Sequence, residues 1–169
     1  MTSQIRVDSI VPTTGVPTGG GGGIVQCVQD VLTSTVTVTS QSFIDIGLSA
    51  TITPLSSSSK ILAIADISSS GANGSYILFQ LVRGSTNIYL GTDSKTYVAS
   101  KAFYPNSANT DDGSAVGNTN MFFLDSPATT SPTTYKVQVR VTGNTGTING
   151  RDDNDTCLAS SLTLMEVSG

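Results

Sequence analysis

From Ile24 onward the apolar positions recur with a period of two, and turn-forming residues interrupt them at short intervals. Alternation of that kind is the mark of strands with one buried face. Tyr135, Val137, Val139 and Val141 fall on one side of the cleanest example, with Lys136, Gln138 and Arg140 on the other. Ile24 to Leu32 followed by Thr35 to Thr39 reads as one long or bent strand. Phe43, Ile44, Ile46 and Leu48 lead into Ala50-Thr51-Ile52-Thr53, which stops at Pro54. After a polar turn at Ser56 to Ser59, Lys60 to Ile67 is apolar enough for a central strand buried on both faces, and so is Tyr76 to Arg83 beyond the turn residues Gly71 to Gly74. Gly84-Ser85 and Thr86 to Leu90 predict a tight hairpin return. Further strands are expected at 96–104 and 119–124, separated by a polar loop, and at 158–167, where Leu162, Leu164 and Glu166 share a side. About nine strands in this order predict an all-β, jelly-roll-like antiparallel β-sandwich over residues 24–169.

Residues 1–23 stand apart. Ile5, Val7, Ile10 and Val11 make a short apolar pattern, Pro12 and Pro17 prevent its extension, and five glycines follow from Gly19 to Gly23. The segment is expected to be an anchoring arm with a Gly-rich hinge. Its glycines lack the Gly-Lys-Ser/Thr of a phosphate-binding loop.

Composition sharpens the fold class. The chain carries 24 Ser and 24 Thr beside 17 Gly, with 4 Lys and a single Glu, Glu166. Such an alphabet disfavours helices. Charged residues are only 12% of the chain, about half the usual share, which gives a polar but weakly charged surface suited to packing between subunits. A net charge of −4 and scattered basic residues argue against nucleic acid, and no apolar run reaches membrane length. With no basic and apolar leader at the N-terminus, synthesis in the cytosol is expected. There, Cys27 and Cys157 are expected to be buried and unpaired, a disulfide being the alternative.

The absence of histidine excludes Ser-His-Asp and Cys-His sites, and two cysteines are too few for an all-Cys zinc site. No enzymatic activity and no cofactor are expected. Asp152, Asp153 and Asp155 form the densest acidic cluster, read either as calcium ligands without EF-hand spacing or as an ordinary solvated loop. Tyr97, Phe103 and Tyr104 lie near Asn106 and Asn109, a combination that serves a sugar-binding patch or plain packing. Arg83 and Arg140, set in strands, either pair with an aspartate such as Asp66 or Asp125 or face solvent. Because the two central strands are apolar on both faces, one face is expected to meet another subunit, with Ile77 and Phe79 as the interface residues.

The opening Ser3-Gln4-Ile5-Arg6-Val7-Asp8-Ser9-Ile10-Val11-Pro12, running on through Gly15-Val16-Pro17-Thr18 and the glycines to Gln26, resembles the N-terminal segment of virion structural proteins of marine bacteriophages, cyanophages in particular. Further landmarks follow in the same order. They are Gly47 to Pro54, Ser59 to Leu62, Leu81-Val82-Arg83-Gly84-Ser85-Thr86, Phe123-Leu124-Asp125-Ser126-Pro127, Thr133 to Lys136 and Leu164-Met165-Glu166-Val167. The resemblance implies a jelly-roll module on the virion surface, of the tail-fibre or head-decoration type. It also implies a homotrimer anchored to capsid or tail proteins by its arm, through Ile5, Val7, Ile10 and Val11. A receptor-binding tail-fibre module that recognises host surface glycans, through Tyr97 and Tyr104, is the alternative it allows.

Overall fold

A computed structural model of the chain describes residues 23–71, 74–105, 116–151 and 155–169, and every regular element among them is a strand. In chain order these are β1 (Ile24–Leu32), β2 (Val36–Val38), β3 (Ile44–Ile52), β4 (Lys60–Gly71), β5 (Ile77–Arg83), β6 (Thr86–Ile88), β7 (Lys101–Phe103), β8 (Val116–Asp125), β9 (Thr133–Val141), β10 (Gly146–Ile148) and β11 (Ser160–Val167). They form two antiparallel sheets. The six-stranded sheet runs β1-β11-β4-β10-β2, with β8 on the other side of β4, and the five-stranded sheet runs β3-β9-β5-β6, with β7 also on β5.

Setting aside the short β2, β6 and β10, the eight remaining strands pair first with last, β1 with β11, then β3 with β9, β4 with β8 and β5 with β7. The chain is a long hairpin, tipped at β5 and β7, whose successive pairs fall alternately in the two sheets. This is the jelly roll that the alternation predicts.

The sandwich interior is filled from both inner faces. Tyr135, Val137, Val139 and Val141 of β9 are all closed from solvent, as are Leu162, Leu164 and Glu166 of β11. Each large apolar side chain buried in this way contributes roughly 1.5–3 kcal/mol. In β3 the register shifts between Asp45 and Ser49, and Gly47 sits there at φ +89°, a left-handed conformation that a side chain would strain.

Several strands depart from the sequence reading. β1 and β2 are separate strands, because residues 33–35 break the run and β2 pairs with β10 whereas β1 pairs with β11. β10 has no alternation to betray it; it exists because β4 and β2 flank it on both sides. β4 continues through Ser68, Ser69 and Ser70, small side chains that fit between β8 and β10. β7 keeps only three residues of the expected 96–104.

The two central strands also differ. β5 is buried on both faces from Ile77 to Val82. β4 is not: Ile61, Ala63, Ala65 and Ile67 point into the core, whereas Leu62 and Ile64 lie half-buried on the outside. Ile77 and Phe79, expected at a subunit contact, are 1% and 0% exposed within a single chain and belong to its own core. That expectation is corrected: an inward-facing side chain of β5 has no surface to offer a neighbour.

Candidate functional site

Depth and charge together mark many chemical sites, and among the described residues the buried polar groups form three centres. Arg83, at the end of β5, reaches Asp125, at the end of β8, with Nη1 donating to both carboxylate oxygens at 2.8 and 2.6 Å. The Tyr135 hydroxyl of β9 donates to the same carboxylate at 2.6 Å. Burial, and then the carboxylate that accepts its proton, push the Tyr135 hydroxyl well above its ordinary pKa, so it stays protonated. The trio ties the two sheets together, and every oxygen of Asp125 is occupied by a donor.

Glu166 is the second buried carboxylate. Its burial disfavours the charge, but Gln26 Nε2 donates to one oxygen and the Leu55 backbone N–H donates to the other at 2.8 Å, and the balance holds its pKa below the ordinary value. A third buried centre, Asn149, sits at φ +59° with Nδ2 donating to the Leu32 and Ser34 carbonyls at 2.7 and 3.2 Å. The Ser160 hydroxyl donates to Asn149 Oδ1 at 2.5 Å. Asn tolerates the left-handed region better than most residues. All three centres are structural ties between strands.

The exposed chemistry lies at one end of the five-stranded sheet. Tyr97 and Tyr104 do come together, through Tyr76, whose ring centroid is 5.9 Å from that of Tyr97 and 4.6 Å from that of Tyr104, both tilted. All three rings are exposed. The Arg140 guanidinium lies 5.6 Å from the centroids of both Phe43 and Tyr97, a cation over aromatic faces. Arg140 therefore pairs with rings, whereas Arg83 takes the aspartate. Phe103 is not part of this patch: it turns inward against the core, so close to Gly117 that a Cβ there would clash with its ring. Tyr76 and Arg140 were missed as patch members because the strand pattern absorbed them; β9 runs beside β5, which brings the neighbourhoods of Leu78 and Arg140 together.

The remaining sequence candidates divide by position. Ile5, Val7, Ile10 and Val11, together with Asp152 and Asp153, lie outside the described residues. Asp155 is described and exposed, and among the described residues no three His, Cys, Asp or Glu side chains gather to hold a metal. Cys27 and Cys157 are unpaired, as expected, but both are exposed rather than buried. Cys27 takes an outward position of β1, and Cys157 stands in a bridge to Gly150.

No protein-family model matches the chain, and no curated protein does. Among solved structures it is similar to a structure of the Gx strain of infectious bursal disease virus, with a TM-score of 0.36 and 13% identity. That alignment covers 94% of this chain and 41% of the other, so the chain spans about two fifths of its length.

Proposed function

We propose that the chain is a non-enzymatic component of a bacteriophage particle surface, a head decoration or fibre module that docks by residues 1–23 and displays the sandwich. What supports this reading is the closure of the fold on itself. Among the described residues the strand pairs fall within residues 24–167, and the buried carboxylates Asp125 and Glu166 are spent on structural hydrogen bonds. The segment ahead of Gly23 carries the resemblance to phage virion proteins, and it is the part to which this reading gives attachment. The test is co-sedimentation with intact particles. The full chain should pellet with them, whereas a chain without residues 1–22 should fold with the same β-rich circular dichroism and stay in the supernatant. Binding by the shortened chain would refute the arm as anchor.

The cluster of Tyr76, Tyr97 and Tyr104 favours a second activity for the same module, recognition of a host surface glycan. Three exposed rings beside a cation present the apolar faces on which sugar rings stack. Host-cell binding that survives Tyr76→Ala with Tyr104→Ala would dismiss it.

A further inference from the structure

The outer face of the six-stranded sheet carries apolar side chains where a solvated sheet should alternate to polar ones. Strand register sets them in two adjacent rows. Cys27 stands opposite Met165, Met165 opposite Leu62, and Leu62 opposite Leu124. In the next row, Ile64 stands opposite Phe122. Phe122 and Leu124 are 59% and 50% exposed, and they belong to β8, the edge strand of this sheet. A contiguous apolar surface of this kind is uncommon on a monomer and marks a contact.

Charge on the face points to its occupant. On the outward positions of β1, β11, β4 and β8 the only charged side chains are Lys60 and Asp66, at opposite ends of the β4 row and about 20 Å apart at ~3.3 Å per residue. The row between them, Leu62 and Ile64, is centred on Ala63. A two-fold axis crossing β4 at that centre, in the plane of contact, lays Leu62 on the second copy's Ile64 and Lys60 on the second copy's Asp66. The face is thus complementary to itself in charge and in apolar position. An axis along the strands would set Lys60 on Lys60 instead. The area also suffices: four strands ~4.8 Å apart and about eight residues long give a footprint of about 500 Å² per copy, which meets the roughly 1,000 Å² total of a specific interface.

We infer that the chain self-associates as a two-fold pair, sheet face on sheet face, through Leu62, Ile64, Phe122, Leu124 and Met165. The arrangement moves the subunit contact from Ile77 and Phe79 to the opposite sheet, and it is two-fold in place of the threefold assembly that the resemblance implies. Edge-to-edge pairing of β8 would leave both apolar rows in water, whereas stacking covers them.

Sedimentation of the full chain at micromolar concentration should give twice 17.4 kDa. Phe122→Thr with Leu124→Thr, which puts strand-favouring β-branched side chains on β8, should give the single mass. Lys60→Asp should raise the dissociation constant roughly tenfold, and adding Asp66→Lys should restore it. Cys27 should resist alkylation in the wild-type pair and react in the Thr variant, with Cys157 reactive in both. Should the Thr variant fail to fold, the charge swap at two exposed positions decides. A wild-type monomer, a trimer, or a pair indifferent to both the Thr variant and the swap overturns the inference. So does a monomer with Cys27 protected, which would mean that the chain's own segment covers the face. Particle attachment is read separately, so either proposal can fail without the other.

Discussion

Glu166 shows how one carboxylate can be held charged inside an apolar sandwich. Its folded pKa is depressed, so on acidification the unfolded chain takes up the proton first, near the ordinary value of 4.5. The stabilisation is full above that pH and is lost as the pH falls further, through the folded pKa. Glu166→Gln sets an amide nitrogen against Gln26 Nε2 or the Leu55 N–H, both donors, and should cost about 2 kcal/mol at neutral pH in chemical denaturation. The difference from wild type should shrink below pH 4.5. At Asp125 the order of effects follows from what is left behind. Asp125→Asn strands the Arg83 guanidinium without its countercharge and should cost about 3 kcal/mol, whereas Tyr135→Phe removes a single donor and should cost about 1 kcal/mol. Equal losses in urea titrations would count against the ion pair as the dominant tie. The sequence offers the Arg83–Asp125 pairing as one option beside Asp66 or solvent, since Arg83 is set in a strand among apolar neighbours. It does not reveal Asn149, because nothing in Gly146-Thr147-Ile148-Asn149 separates a buried left-handed tie from an ordinary turn.

The elements that were legible are those whose burial repeats. β9 and β11 declare their inner faces residue by residue, and β3 ends where Pro54 requires. β10 and the serine stretch of β4 were hidden because their membership depends on neighbours from distant sequence, with no period of their own. The apolar runs of β4 and β5 look alike in sequence yet differ in the fold, one open outside and one closed on both faces. That difference rests on where the intervening chain lies, which alternation does not encode. It yields a prediction at Phe79, where a buried charge has no partner: Phe79→Asp should abolish the cooperative thermal transition of the single subunit, a loss of more than about 4 kcal/mol. A folded monomer from that variant would place Phe79 at an interface after all.

At the scale of the molecule, two of the three buried ties, those of Asp125 and Glu166, fall within the quoted landmarks, whereas that of Asn149 does not. Arg83, Asp125, Tyr135 and Glu166 all lie in the quoted landmarks, as does Gly47 with its positive φ. The site was less legible than the fold. Tyr97 and Tyr104 could be named from their loop, whereas the sheet that gathers them with Tyr76 and Arg140 is a product of topology.

The pairing of first strand with last has a consequence in time. Gln26 meets Glu166 across 140 positions, so during synthesis β1 has no strand partner until β11 has left the ribosome. Folding must then close its longest loops before the widest sheet is complete, which places it among slow, high-contact-order domains with rates of milliseconds to seconds. Until then the bare edges of β4 and β1 are open to other nascent chains. Stopped-flow refolding should be correspondingly slow, and a chain lacking residues 160–169 should aggregate rather than fold. A soluble, cooperatively folded truncation would mean that the roll can close without its last strand.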